Sequence, residues 1–206
     1  MKKIMFNDKY GLTDAVLKGH KTMTRRVATY ETVKEPNTGF LTDQPEAGTF
    51  VLCDRFRIVA KSTYKIGEVV AVAQSYKSVF EESLNYALPR YHWLDDHIDE
   101  KGFENKMFVK AGEMPHQIKI TNIKVERLQN ISEEDCLKEG IQEYFPYIDR
   151  DPNDKVRTFQ YFKDGKIHHR ISPASKCFGY LIDDISGKGT WESNPYVFAY
   201  TFELVK

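Results

Sequence analysis

The chain has 206 residues, of which 41% are hydrophobic and 13% aromatic, which is enough for one domain with a packed core and excludes a chain that is disordered throughout. Lysine plus arginine and aspartate plus glutamate both number 30, so the formal net charge is zero. This balance argues against a protein that coats long DNA or RNA through phosphate contacts, although it leaves room for a local basic patch.

Membrane and export signals are not evident in the sequence. No apolar run comes near the roughly 18 residues that a membrane-spanning helix needs, and the apolar stretch after Met1 is too short for a signal peptide. The three cysteines, Cys53, Cys136 and Cys177, lie far apart and form no Cys-x-x-Cys pair, which is typical of reduced thiols. We therefore expect a soluble, cytoplasmic protein with no membrane partner.

The chain begins with a predicted strand and helix. Residues 4–6 form a short apolar stretch that predicts a first strand. Leucine, alanine and valine then recur at helical spacing over residues 12–17, with Thr13 as a candidate N-cap and Gly19 as the stop.

The middle of the chain mixes loops and strands. Proline, glycine and asparagine cluster in residues 28–48, which predicts a long loop. Residues 49–60 predict one strand of a hairpin, and the continuous apolar run over residues 69–73 is typical of a buried strand. In residues 76–112 aromatics and charges mix without a clear period, so we expect an insertion made of a short helix and a loop.

Residues 117–128 carry the clearest strand pattern. Ile118, Ile120, Ile123 and Val125 fall among polar residues, with one shift that predicts a β-bulge.

A capping box opens the next predicted helix. Ser132-Glu133-Glu134-Asp135 has the form in which a serine accepts the free amides of a new helix, which should end at Gly140. Residues 142–173 predict a second, polar and aromatic-rich loop insertion. Ser175 is then a candidate cap for a last helix that ends near Ile185.

The fold class follows from these elements. Residues 196–202 close the chain as a strong strand. Several strands with loops between them and only short helices predict an α+β fold, in which a small barrel or curled sheet carries peripheral helices. We expect a single domain over residues 1–206, with insertions near 76–112 and 142–173.

The segment Gly19-His20-Lys21-Thr22-Met23-Thr24-Arg25-Arg26 concentrates three permanent cations and two hydroxyls just after a helix. Such a basic run is compatible with an ordinary solvated loop. Lys21, however, lies three residues before Thr24, close enough to contact it in a turn or helix. A threonine hydroxyl becomes a nucleophile when a base takes its proton, and a lysine can be that base if burial or neighbouring cations lower its pKa.

Other candidates are weaker. His92 and His97 suggest a metal site, but a spacing of five places them on different helix faces and no third ligand is evident, so we predict no metal and no cofactor. Aromatics in the second insertion are suited to stacking on bases or to anchoring a loop on the core, and the second role is the commoner one. They are Phe145, Tyr147, Phe159, Tyr161 and Phe162.

The sequence resembles a known family at four places. Gly19-x-Lys21-x-x-Thr24-x-Arg26 is similar to the G-x-K-x-x-T-x-R signature of ASCH domains, which belong to the PUA-like superfamily. Residues 65–72 resemble the strand entry G-D-x-L-x-V of that family. Residues 114–141 resemble the strand and I-S-E-E-D-A-x-x-E-G-I helix of its phage-type members, and residues 191–197 resemble W-x-x-N-P-W-V. Four blocks in family order, over roughly half the chain, are more specific than any one motif.

This resemblance implies a PUA-like β-barrel with a cleft suited to RNA or a nucleoside. Some small ASCH members are amidohydrolases that remove the acetyl group of N4-acetylcytidine, and others are linked to RNA binding or cleavage. In the amidohydrolases the motif lysine is the base, the motif threonine the nucleophile and a glutamate on the later helix the proton donor. By resemblance these roles fall on Lys21, Thr24 and Glu139, although an exposed helix residue is the commoner place for a glutamate.

The chain departs from the phage-type pattern at two places. Ala71-Val72-Ala73-Gln74 stands where relatives have Trp-Val-Arg-Glu, and His116 stands where they have an arginine after Met-Pro. Both changes remove charged groups from the expected cleft.

Two functions are therefore expected. The first is a module that binds RNA or a modified nucleoside against Lys21, Arg25 and Arg26. The second is an amidohydrolase that deacylates N4-acetylcytidine-type nucleosides. The enzyme needs Lys21 and Glu139 beside Thr24 in a partly buried site, whereas the module needs only an open basic groove. A protein that interacts with partners and holds no ligand is the third possibility.

Overall fold

The computed structural model describes residues 1–29, 40–44, 49–54, 57–84, 96–144 and 157–205, and for residues 40–44, 49–54 and 57–59 it describes the backbone alone. The described strands are β1 (Lys3–Ile4), β2 (Met23–Val27), β3 (Phe40–Gln44), β4 (Thr49–Asp54), β5 (Arg57–Lys61), β6 (Val69–Val72), β7 (Gln117–Arg127), β8 (Gln142–Tyr144), β9 (Thr158–Lys163), β10 (Lys166–Ile171) and β11 (Tyr196–Leu204). The described α-helices are α1 (Leu12–Leu17), α2 (Tyr76–Leu84), α3 (Glu133–Lys138), α4 (Ala174–Ser186) and α5 (Thr190–Ser193). The fold is α+β, as predicted.

A five-stranded mixed sheet forms the centre of the molecule, in the order β1-β6-β7-β11-β2. Only β1 and β6 run parallel within it, and the other neighbours are antiparallel. The strand β7 alternates between core and solvent: Ile118 and Ile120 are completely buried, while Lys119 between them is exposed. A register shift opposite Thr201 is the bulge that the sequence pattern predicted.

The core lies where this sheet meets the helices. Val70, Val72 and Tyr200 are completely buried in it, together with Cys136 of α3 and Cys177 of α4. Burial of a large apolar side chain stabilises a fold by about 1.5–3 kcal/mol, so these contacts dominate the packing of the helices on the sheet. The helix α3 packs against β2 and against α4, and α4 packs on β9 and β10.

Two smaller three-stranded sheets form in regions for which the sequence predicted a single strand or a loop. Residues 49–60 form β4 and β5 of a three-stranded sheet, β3-β4-β5, rather than a single strand, and β3 lies within the predicted loop 28–48. The described part of the predicted loop insertion 142–173 forms the sheet β10-β9-β8. The sequence pattern missed this sheet because β10 is largely exposed and β9 buries three successive residues, so neither strand alternates.

The aromatics of the second insertion fall in two groups. Phe159 and Tyr161 are buried in the core and Phe162 is half-buried, which agrees with the anchoring role. Phe145 and Tyr147 lie outside the described residues.

One of the three predicted helix caps is confirmed. The Ser132 hydroxyl accepts a hydrogen bond from the Asp135 amide at 3.1 Å and opens α3. The predicted cap Thr13 is wrong, because its hydroxyl donates to Asp8 and Gly11 precedes the helix. Ser175 is also not a cap, since α4 begins at Ala174 after Pro173. No helix in the described ranges is long and apolar enough to cross a membrane.

Candidate functional site

The segment from α1 into β2 is fixed against the end of α3. Gly19 adopts a φ of +72°, which reverses the chain after α1, and the amides of His20 and Lys21 both donate to the Ala15 carbonyl. The Thr22 amide then donates to the Lys138 carbonyl at 3.0 Å. Lys21 is thereby brought opposite the last turn of α3.

Gly140 allows this close approach. Its φ is +103°, a conformation that residues with a side chain rarely adopt, and a Cβ atom there would lie 3.1 Å from Leu12 Cδ2 and 3.8 Å from Lys21 Cδ. The glycine therefore lets the chain leave α3 directly behind the Lys21 side chain.

Replacing Gly140 by alanine is expected to lower the free energy of unfolding by about 1–3 kcal/mol, because the backbone is strained and Leu12 must move. Urea unfolding of the variant measures the change. Gly112→Ala is the matched control, since no atom lies within 4 Å of its added Cβ, and it should change stability by less than about 1 kcal/mol. Equal stability of the two variants would contradict this role of Gly140.

A buried ion pair joins Lys21 to Glu139. Lys21 Nζ lies 2.7 Å from Glu139 Oε2 and 2.7 Å from the Glu139 carbonyl oxygen. The two side chains are only 2% and 5% exposed. Burial lowers the pKa of Lys21 from its ordinary value of 10.5, an effect that Arg26 and Arg25 reinforce and that Glu139 opposes. Lys21 is thus buried, which is the condition under which a lysine can act as a general base.

Arg25 is enclosed by three carboxylates. Its Nε and Nη2 atoms donate to Glu126 Oε1 at 3.1 and 2.6 Å, and Nη2 also donates to Asp135 Oδ2 at 3.0 Å. Its Nη1 atom donates to Glu139 Oε1 and to Met23 Sδ, both at 3.1 Å. Burial alone would lower the pKa of Arg25, but the carboxylates outweigh it and raise the pKa.

These contacts define what Arg25 contributes. A guanidinium has five N–H groups, and the five contacts account for all of them. Arg25 was predicted to hold a ligand; in the structure its Nη1 atom contacts Oε1 of Glu139, the carboxylate oxygen that Lys21 does not contact.

Thr24 lies on β2 opposite Tyr200 of β11 and is 4% exposed. Within the described residues its hydroxyl makes no hydrogen bond, either to Lys21 or to any other group. The residue lines the cavity, so its hydroxyl is open to a ligand or water that enters the cavity. Thr24 is therefore the group in this site whose hydrogen-bonding capacity is left for a ligand.

Arg26 is the exposed cation of the motif. It donates to the Met5 carbonyl at 2.5 Å, and its guanidinium lies 6.0 Å from the centre of the buried Phe6 ring. Lys21 Nζ lies 5.9 Å from the same ring. Both cations of the motif therefore lie within about 6 Å of the same aromatic ring.

All five residues that the sequence singled out line one cavity of about 800 Å³: Lys21, Thr24, Arg25, Arg26 and Glu139. This volume suits a drug-sized ligand. An apolar face of α4, formed by Phe178, Leu181, Ile182 and Ile185, lines part of the cavity. The N-terminal segment 5–9 and residues 105–107 line another part.

Comparison of the chain with models of protein families, with curated proteins and with solved structures finds no match in any of the three. The function of the chain is therefore inferred from the site and from the motifs in the sequence.

Several residues of the site carried no sequence signal. Lys106 Nζ donates to the Phe6 carbonyl and to Asp8 Oδ1, yet it lies in a segment without a period, and its partners are about a hundred residues away in the chain. Glu126 and Asp135 were recognisable only as parts of a strand and of a capping box. Contacts of this sequence separation cannot be read from a local pattern.

The two departures from the family pattern lie outside the cavity lining. Gln74 Nε2 donates to Glu82 Oε2 at 2.9 Å, and His116 Nε2 lies 2.8 Å from Glu82 Oε1. Glu82 of α2 therefore contacts both Gln74 and His116, and neither of them lines the cavity.

The histidines do not form a metal site in the described part of the chain, where no group of three or more His, Cys, Asp or Glu side chains is arranged to hold an ion. His97 is buried and stacks on Tyr76 with ring centres 4.1 Å apart. His92 lies outside the described residues.

Proposed function

We propose that this chain is an amidohydrolase of the ASCH type that removes the acyl group from N4-acylated cytidines, with Lys21 as base, Thr24 as nucleophile and Glu139 as proton donor. The observation that carries the proposal is that the buried Lys21–Glu139 pair and Thr24, whose hydroxyl has no hydrogen bond within the described chain, line one ligand-sized cavity. The acylated cytidine comes from the resemblance of the four sequence blocks. A PUA-like barrel, built around the five-stranded sheet, belongs to the same proposal.

Lys21 is prepared to accept a proton. A neutral amine has two N–H donors and one lone pair, and the two hydrogen bonds from Nζ to Glu139 use both donors. The lone pair remains for the proton of Thr24 Oγ1. Apo structures often show catalytic hydrogen bonds that tighten only with substrate, so the contact between Thr24 and Lys21 forms when the substrate is bound.

The first chemical step forms a bond between Thr24 Oγ1 and the amide carbonyl carbon while Lys21 takes the hydroxyl proton. The hydrogen bond of 2.7 Å between Lys21 Nζ and Glu139 Oε2 then carries this proton to the carboxylate. Glu139 delivers it to the exocyclic nitrogen as the C–N bond breaks, so that cytidine leaves and an acyl ester stays on Thr24.

The second step restores the enzyme. Water attacks the ester carbonyl while Lys21 takes its proton, and the threonine oxygen leaves with a proton that returns along the same path. The products are cytidine and a carboxylic acid, which account for all atoms of the amide and one water. Incubation with N4-acetylcytidine and chromatographic detection of cytidine test the proposal, and a purified, folded protein that releases no cytidine would refute it.

The pH dependence of hydrolysis follows from the Lys21 environment. Because the base must be neutral and burial lowers its pKa, kcat/KM is expected to rise with pH through a midpoint below 10.5, the ordinary lysine value. The profile is measured as cytidine release, corrected for spontaneous hydrolysis at each pH. A midpoint at or above 10.5 would show that Lys21 is not the base.

One observation favours the binding module as the second candidate. Arg26 is exposed at the cavity and lies over an aromatic ring, an arrangement that also suits RNA or a modified nucleoside. Salt-sensitive RNA binding that is lost in Arg26→Ala, in a protein that releases no cytidine, would favour this function.

A further inference from the structure

The cavity has an exposed part and a buried part, and the two parts carry net charges of opposite sign. The exposed part carries the exposed cations Lys9 and Arg26, the part-buried cation Lys106 and the carboxylate of Asp8. Three cations and one carboxylate leave an excess of two positive charges there, in a chain whose formal net charge is zero. Lys9 also lies 3.9 Å from Asp164, but both side chains are more than half exposed, so that pair is weak.

The buried part has the opposite sign. Lys21 and Arg25 contact three carboxylates, those of Glu126, Asp135 and Glu139, which leaves an excess of one negative charge when both cations are protonated. An anionic group of a ligand is therefore disfavoured beside Thr24 and favoured at the exposed part.

Two of these three cations are held in place by the backbone. Arg26 donates to the Met5 carbonyl at 2.5 Å, and Lys106 donates to the next carbonyl, that of Phe6. Lys106 also donates to Asp8 Oδ1 at 2.6 Å and to Thr13 Oγ1 at 3.2 Å, so its three N–H groups are occupied and it contributes charge rather than a free donor. Because successive carbonyls fix both side chains, the cations are positioned before a ligand arrives, which reduces the entropy cost of binding.

We propose that the cavity takes its substrate as a nucleoside 5′-monophosphate, with the phosphate bound by Arg26 and Lys9 close to the charge of Lys106, and the neutral acylated base beside Thr24. This inference rests on the proposed function for the identity of the base. A phosphate monoester carries nearly two negative charges and three acceptor oxygens, which match the excess charge and the donors of the exposed part. The apolar face of α4 lines the same cavity and provides an uncharged surface for the rest of the nucleotide.

The test compares N4-acetylcytidine 5′-monophosphate with N4-acetylcytidine as substrates. A phosphate on positioned cations should raise kcat/KM by about tenfold or more for the nucleotide. Arg26→Gln and, separately, Lys9→Gln should lower this ratio several-fold. Lys18→Gln is the control, because Lys18 lies outside the cavity lining with a side chain that is 66% exposed, and it should leave the ratio unchanged.

Equal kcat/KM for the two substrates would overturn the phosphate site while leaving the proposed hydrolysis intact. A preference for an acetylated RNA oligonucleotide over the mononucleotide would overturn the mononucleotide as substrate. Calorimetric binding of cytidine 5′-monophosphate and of cytidine separates the two proposals. If neither acetylated compound is hydrolysed but the monophosphate binds at least tenfold tighter than cytidine, the phosphate site stands and the hydrolase proposal fails. If the monophosphate binds no tighter, the phosphate site fails as well.

Discussion

Replacing Thr24 by valine is expected to lower kcat for hydrolysis of N4-acetylcytidine by on the order of 10³-fold or more, because the variant lacks the oxygen that attacks the carbonyl. Valine keeps the branched shape of threonine, so the packing of β2 against β11 should persist. The measurement is cytidine release under saturating substrate. The free energy of unfolding should stay close to that of the wild type, since the Thr24 hydroxyl has no hydrogen bond in the described structure to lose. A loss of kcat would then not come from unfolding.

Thr22→Val is the matched control for this experiment. Thr22 lies two residues earlier, its backbone makes the contacts to Lys138 and Phe202, and its side chain does not line the cavity. The control should retain most of the wild-type kcat. Activity in Thr24→Val that stays within tenfold of wild type would show that this hydroxyl is not the nucleophile.

Replacing Arg25 by methionine is expected to lower the free energy of unfolding by about 3–5 kcal/mol, because it leaves Glu126, Asp135 and Glu139 without their shared cation. Urea unfolding at neutral pH measures the loss. The variant should also lose hydrolysis, since Glu139 is then held only from the Lys21 side. This double effect distinguishes a positioning residue from a residue that only contacts the ligand.

Arg157→Met is the control that tests whether the loss of stability depends on burial of the arginine. Arg157 also contacts two carboxylates, Glu133 and Glu143, but its side chain is 48% exposed. Surface ion pairs contribute about 0–1 kcal/mol, so this variant should be nearly as stable as wild type. Equal losses in the two variants, or an Arg25→Met protein of full stability, would contradict the structural role of Arg25.

The parts of the fold that could be predicted are those with a local pattern. The alternation of β7, its bulge and the Ser132 cap are set by neighbouring residues, and all three were recognised. The sheet β10-β9-β8 was missed because its exposed strand carries charged and polar side chains and its middle strand buries consecutive residues.

The candidate site also has parts that a local sequence pattern predicts and parts that it does not. The motif from Gly19 to Arg26 and the end of α3 could be named from the sequence, and the structure places them around one cavity. The partners of Arg25 could not be predicted from the sequence, because Glu126 lies 101 residues away along the chain and no local pattern indicates the contact. The same separation hid Lys106, which reaches the N-terminal segment across 100 residues.

Covalent trapping during turnover tests the central claim most directly. The protein is mixed with N4-acetylcytidine, quenched in acid within the first turnover and digested, and the peptides are sequenced by mass spectrometry. We expect an acetyl group on Thr24, in amounts that rise and decay with the release of cytidine. Acetylation of Lys21 instead, or cytidine release from a protein that carries no acetyl group at any time point, would contradict a threonine nucleophile.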